Sequence, residues 1–374
     1  MDQDTANKLF EVGAIFLFLD VPEKTEFGID YNSWQTGPNF KGVKMIPPGL
    51  HFIYFNPTDK YGHVGLRSGF FYNFEPKEIV AKKWNLQNES IDDYCFSEEE
   101  IERFKSNKQD LDRFLGSYPY DEYKRWISLT SNLNESFVFK LVPDLKIISS
   151  GSCLIGESFH GKSTEHLFQA PKTIQEAESR LPHMTHQKGT NINFSQIPSK
   201  YYPQGTDPHK ITQSSIDLSD RLEQLIRIQD SNENNLLCEL QFSFVCFLIG
   251  QVYDAFEQWK NLVHLLCNCE KAIGKYTKVY VELINILYFQ LKEMPDDYFS
   301  DILLQENFLT INLHNLFENI SYAYHSDKDK NSLKNLNEKC SKFKNYLQQR
   351  FNLSFDSCPD EYQPVVVSET AADE

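Results

Sequence analysis

The sequence predicts an α+β protein of two domains, mainly β at the N-terminus and all-helical at the C-terminus, followed by a flexible acidic tail. Three observations predict it. Short aromatic and β-branched runs, divided by Gly, Pro and Asn, fill residues 10 to about 95. From Ile211 to about Phe351 the apolar residues recur at helical spacing only. Between these regions, from about 160 to 210, periodicity is lost and Pro171, Pro182, Pro198, Pro203 and Pro208 punctuate the chain. The expected domains are 1–170, mainly β with one or two helices; a Pro-rich connection at 171–210; a helical domain at 211–355; and the tail at 356–374.

The expected strands are Val12–Leu19, Val43–Ile46, Leu50–Phe55, Phe70–Phe74 and Ile79–Trp84. Pro47-Pro48-Gly49 forces a turn into the third of these, by fixing φ at the prolines and relaxing it at the glycine. Leu50, Phe52 and Tyr54 then alternate with His51, Ile53 and Phe55, so both faces are largely apolar and the strand should be buried on both sides. Ser97 and Glu100 form a capping-box pattern. Ile101, Phe104, Leu111, Phe114 and Leu115 follow at helical spacing, with Gly116 suited to a C-terminal cap. Tyr118-Pro119 starts a second short helix holding Tyr123, Trp126, Ile127 and Leu129, and residues 137–160 return to a β-like pattern.

In the second domain, helices are expected at Ser214–Gln229, with Ile216 on its apolar face, and at Leu236–Ile249, apolar nearly all round and so central. Gly250 divides that helix from, or sits inside, the run Val252–Cys269. Further helices should cover Tyr276–Leu291, Pro295–Leu304, Phe308–Tyr324 and Ser332–Arg350, with short connections that imply antiparallel neighbours. Tyr253, Phe256 and Trp259 fall at i, i+3, i+6 and read as core packing. No clean fixed-period repeat is visible.

Composition narrows the function. The 374 residues are 40% hydrophobic and 14% aromatic, enough to bury real cores. A formal net charge of −16 argues against direct nucleic-acid binding, which needs clustered Lys and Arg, and favours a basic protein partner. Eight cysteines with no CxxC pair read as free buried thiols in a reducing compartment. Val12–Leu19 and Phe242–Ile249 are too short to span a bilayer, and no secretory signal is visible, so a cytosolic or nuclear protein is expected.

Candidate chemistry is sparse. Gly156–Thr164 matches the phosphate-loop pattern, in which Gly161 and its neighbours would cradle phosphates, Lys162 would reach the outer phosphates and Ser163 would hold Mg²⁺. Its context fails: Pro171 and Pro182 interrupt the helix that should follow, and no strand–helix alternation comes after it. A nucleotide-binding regulator or weak NTPase on this loop is therefore the rival reading, and a glycine-containing surface loop is the plainer one. His183/His186 and His264/Cys267 lack third and fourth ligands at a metal-site spacing, and Cys267 and Cys269 cannot face one site on a helix, so neither metal nor cofactor is expected. No nucleophile motif or carboxylate pair stands out, so no catalytic residue is assigned. The Lys-rich run from Lys328 to Arg350 is diluted by Asp327, Asp329 and Glu338 and reads as a solvated helix face.

Two segments remain. The tail holds six acids, no Lys or Arg, and Pro364-Val365-Val366-Val367; three valines gain nothing in water but would as a strand added to another protein's sheet. The stretch Thr25–Phe55 holds four aromatics and four glycines ahead of its alternating strand. This stretch, TEFGIDYNSW…GPNFKGVKMIPPG, resembles the signature of the Aar-two splicing-factor family. YPYDEYKRWISLTSN at 118–132, ELQFSFVCFLIGQVYDAFEQWKNLVHLLC at 239–267, YVELINILYFQLKEMPDDYF at 280–299 and the tail PVVV agree, in order, over nearly the whole chain. The Gly161-Lys162-Ser163 loop has no counterpart in that signature.

The resemblance implies a non-catalytic assembly factor of the U5 small nuclear ribonucleoprotein (snRNP) in pre-mRNA splicing. Such a factor binds the spliceosomal scaffold protein Prp-eight at its RNase-H-like and Jab/MPN-like domains and delays binding of the helicase Brr-two, as an assembly chaperone found in cytoplasm and nucleus. It also implies a mainly β N-terminal domain, an all-helical C-terminal one, and a bridging-strand role for Pro364, Val365, Val366 and Val367. Within the signature, Asp30, Tyr31 and Trp34 are the candidate partner contacts; an equal reading has them bracing the N-terminal domain.

Overall fold

The computed structural model describes residues 3–58, 61–151, 154–156, 184–198, 207–208, 215–294, 308–326, 330–351 and 355. They fall into two compact units. The first holds those within Met1–Ile127, Leu133–Phe194 and Val245–Ala255; the second holds those within Ser128–Asn132, Ser195–Phe244 and Phe256–Glu374. No helix among the described residues is long and apolar enough to cross a membrane.

The N-terminal region is β-rich, as expected. It opens with α1 (Gln3–Val12), then β1 (Ala14–Leu19), β2 (Glu26–Ile29), β3 (Asn32–Gln35), β4 (Gly42–Ile46), β5 (Gly49–Asn56), β6 (Ser68–Phe74), β7 (Ile79–Asn85) and β8 (Ser90–Ile91). After α2 (Glu98–Ser106) and α3 (Lys108–Leu111) come β9 (Leu115–Ser117), α4 (Tyr120–Thr130), α5 (Glu135–Leu141), β10 (Ile148–Ser149), β11 (Leu154–Gly156) and β12 (Met184–His186). Two five-stranded sheets result, ordered β8-β7-β1-β4-β9 and β10-β6-β5-β2-β3. Alternation decides which side chains meet. Phe16 and Phe18 from one sheet pack with Phe27, Phe55 and Phe70 from the other in a single aromatic core. The opposite face of the first sheet, Ile15, Leu17 and Ile79, is covered by Phe104 and Leu111.

Several element boundaries differ from the expected ones. Val12 ends a helix and is half exposed, so the first strand starts at Ala14. The Ser97–Glu100 capping box is formed in full, but the helix it starts stops at Ser106, where Asn107 breaks it. A single-turn helix and a 3₁₀ turn (Asp112–Phe114) follow, and Gly116 lies in β9, not at a helix cap. The β-like pattern read over 137–160 is helical up to Leu141, because the Asn134 side chain accepts from the Phe137 amide and caps α5.

The second region is helical: α6 (Ser219–Ile228), α7 (Glu233–Leu248), α8 (Tyr253–Cys267), α9 (Ala272–Lys275), α10 (Thr277–Glu293), α11 (Phe308–Ser326) and α12 (Lys330–Phe351). α7 is central, as its composition requires; Leu236, Leu237, Leu240 and Phe244 are fully buried. Gly250 falls in the turn between α7 and α8. Trp259 packs on Phe244 and Phe256 and donates its indole N–H to Gln290 Oε1 at 2.9 Å. Two residues expected in the core lie outside it. Ile216 is 73% exposed, because Asp217 accepts from the Ser219 amide and hydroxyl and α6 starts only at Ser219. Tyr253 is 67% exposed at the first turn of α8. Cys238, Cys246, Cys267, Cys269 and Cys340 are buried and in no disulfide, whereas Cys95 is exposed. The helix expected at Pro295–Leu304, most of the 171–210 connection and the acidic tail lie outside the described residues.

Candidate functional site

The signature stretch folds as a hairpin. β2 and β3 pair in unbroken antiparallel register, Ile29 with Asn32 and Phe27 with Trp34, and a two-residue turn, Asp30-Tyr31, joins them. Asp30 takes φ 53°, a left-handed conformation that Asp tolerates better than bulkier residues. On its other side β2 pairs with β5, which sets Gly28 opposite Tyr54. The Tyr54 ring lies where a Cβ on residue 28 would stand, so only glycine lets the ring cross the strand. The Arg67 guanidinium lies over that ring, 4.4 Å from its centroid, while Nη2 pairs with Glu26 Oε1 at 2.9 Å and Nε donates to Asn56 Oδ1 at 3.0 Å. Burial, opposed by Arg67, pushes the Tyr54 phenol up to about 12.

The turn is built on a buried carboxylate. Asp30 is 1% exposed, accepts from the Phe52 amide at 3.0 Å and the Tyr118 hydroxyl at 2.6 Å, and shares a hydrogen bond with His51, whose Nδ1 is 2.6 Å away. Burial and the adjacent carboxylate push the Tyr118 phenol far above its usual range. His51 Nε2 lies 2.8 Å from the Pro47 carbonyl, which can only accept, so that nitrogen carries a proton. Trp126 stacks on the His51 ring and donates to Leu50 O at 3.0 Å. An Asp–His pair suggests acid–base work, but this one offers none. Its outer nitrogen is tied to main chain and both side chains are sealed from solvent. It ties the turn before β5, the hairpin turn and α4 into one rigid unit.

The structure therefore brings Asp30, Tyr31 and Trp34 together in one hairpin but gives them different surroundings. Asp30 is interior. Tyr31 is half-buried, with the Arg125 guanidinium 4.1 Å from its ring centroid. Trp34 is 39% exposed on β3, the last strand of its sheet. His51, Tyr118 and Trp126 were not singled out by the sequence reading. A polar His in a strand apolar on both faces was the available sign, since a buried His needs partners.

The remaining candidates separate. Pro364, Val365, Val366 and Val367, with Gly161, Lys162 and Ser163, lie outside the described residues; of the phosphate-loop pattern only Gly156 is described, as the end of β11. His183 is also outside them. Among the described residues no group of three His, Cys, Asp or Glu is placed to hold a metal. His264 is engaged otherwise: its Nδ1 lies 2.9 Å from Asn312 Oδ1. On the Lys-rich helix, Lys339 donates to Asn285 Oδ1 and Arg350 to Lys292 O, and Lys328 lies outside.

Known proteins match this chain along both of its regions. The AAR2 N-terminal domain model matches residues 12–143 and the AAR2 C-terminal repeat region model matches 194–356. The Protein AAR2 homolog of Mus musculus is 42% identical over 98% of this chain and 96% of its own length, and that of Homo sapiens 41% over the same shares. The A1 cistron-splicing factor AAR2 of Saccharomyces cerevisiae is 27% identical over 80% of this chain and 82% of its own. The two family models match in order, and the comparison with the mouse relative spans 98% of the chain. The chain belongs to the AAR2 family.

Proposed function

We propose that this chain is a non-catalytic assembly factor of the U5 snRNP that supports pre-mRNA splicing. It binds Prp-eight at its RNase-H-like and Jab/MPN-like domains and delays Brr-two. The observation that carries the reading is family membership along nearly the whole chain, with a yeast relative named as a splicing factor. The site geometry supports it. The Asp30 network spends its buried polar groups on holding a hairpin shape, with Tyr31 and Trp34 on the outer side, which suits recognition better than turnover. The proposal divides the work. Domain 1–170 presents the hairpin, domain 211–355 gives a second grip, 171–210 connects them, and Pro364–Val367 of the 356–374 tail adds a strand to the partner. It places the protein in cytoplasm and nucleus, with no direct nucleic-acid contact and no cofactor. Calorimetric titration against the two Prp-eight domains tests it, and binding is the expected result. Nucleotide titration tests the rival reading, which requires Mg²⁺-dependent binding that Lys162→Ala abolishes.

A further inference from the structure

Sheet edges differ in the N-terminal unit. Among the described residues β8 and β10 have two residues each and β9 has three, whereas the edge strand β3 has four. The hydrogen bonds of β2 show how β3 is turned. Asp30 N–H donates to Phe52 O, so the even residues of this strand face β5. Thr36 N–H donates to Thr25 O, so its odd residues face β3 and take Asn32, Trp34 and Thr36 as hydrogen-bonded partners. The amides and carbonyls of Ser33 and Gln35 therefore point off the sheet. Both residues are exposed, as is Trp34 between them. Natural edges are blunted by lysine, proline or a bulge; Asn32–Gln35 has none of these.

We infer that the open edge of β3 is a strand-docking site: an extended segment of a partner protein bonds to the backbone of Ser33 and Gln35 and lays one apolar side chain on Trp34. The inference rests on the assembly-factor reading and gives it a mode of contact. Charge and size select the occupant. The edge carries no charged side chain, so the docked stretch is uncharged, and the net charge of −16 favours basic flanks on it. A second copy of this chain fits poorly, because two four-residue strands paired to each other bury far less than the roughly 1,000 Å² a stable interface needs. A partner with further contact surface elsewhere has no such limit. The chain's own Pro364–Val367 is the rival occupant.

Amide-resolved hydrogen exchange and titration with the Prp-eight domains test this. In the free chain Ser33 and Gln35 should exchange as open amides, and saturating partner should slow both. Gln35→Pro removes one outward N–H without touching a bond to β2, and should weaken binding about tenfold, against about twofold or less for Gln35→Ala. Gln35→Lys, which keeps the backbone N–H, serves if the proline variant fails to fold, and should weaken binding through the charge it brings to the edge. Wild-type binding that these variants leave unchanged overturns the edge site and leaves the assembly reading standing. No wild-type binding overturns both. Amides already protected in the free chain, and released on deleting 356–374, assign the edge to the chain's own tail and overturn the partner.

Discussion

Asp30 shows how one side chain can set the shape of a surface from beneath it. An unpaired carboxylate this deeply buried would be strongly unfavourable, and its three partners offset that only while all are in place. Asp30→Ala leaves the Tyr118 hydroxyl and the Phe52 amide without an acceptor and His51 Nδ1 without its partner. The expected loss is about 3–5 kcal/mol in urea unfolding, and a loss below about 1 kcal/mol would refute the bracing role. Glu239 is the counterpart in the helical unit. It is fully buried, with no cation on it among the described residues, and accepts from the Ser195 amide, Gln258 and Gln229 at 2.6–2.8 Å. Burial pushes its carboxyl up from 4.5, against the pull of those donors. A raised folded value means the native state holds the proton longer than the unfolded chain. The contribution to stability is then full below 4.5 and is lost as pH rises through the folded value. Gln229 Oε1, buried and without a partner among the described residues, can accept from an amide at 239 if the Gln229 amide turns over. Glu239→Gln should therefore match or exceed wild-type stability at about pH 7 and lack this slope; unfolding curves that run parallel to wild type from about pH 4 to about pH 8 would contradict it.

Among the elements, the β2–β3 hairpin depends on Gly28. Gly28→Ala drives a methyl into the Tyr54 ring and should lose about 1–3 kcal/mol. The loss should shrink when Tyr54 is also truncated, and an unchanged loss in that double variant would show that the ring is not the cause. The strands from Val43 to Trp84 were legible because each has aromatic or β-branched residues between Gly, Pro or Asn. The hairpin was not. Its strands are four residues each, and its turn is Asp30-Tyr31 with the left-handed residue an Asp, so nothing resembles an Asn-Gly or Asp-Gly signal. α1 was missed because its polar first turns carry no apolar stripe, and α5 because the Asn134 cap precedes only seven residues. The helices were clearer, since Leu and Phe at helical spacing leave one reading over 10 to 22 residues. Their unequal lengths, 16 residues in α7 against 22 in α12, also explain why a region matched as a repeat shows no fixed period. Of the candidate site, the segment was legible and the division of labour within it was not. Sequence proximity groups Asp30, Tyr31 and Trp34, whereas burial of Asp30 depends on His51 and Tyr118, 21 and 88 residues away, and exposure of Trp34 on β3 being the last strand of its sheet.

For the whole molecule, the unifying property is an acidic chain with two separately packed units and a sealed Asp–His pair where a catalytic one would be open. That combination, in a member of the AAR2 family, is the basis for reading it as a grip on a basic scaffold. The most direct measurement is the calorimetric titration of the chain with the RNase-H-like and Jab/MPN-like domains of Prp-eight, run on the full chain and on one lacking residues 356–374. Tight binding by the full chain is expected, and binding about tenfold or more weaker without the valine strand, with thermal unfolding unchanged. Equal affinity for both chains would remove Val365–Val367 from the mechanism, and no binding of the full chain to either domain would contradict the account.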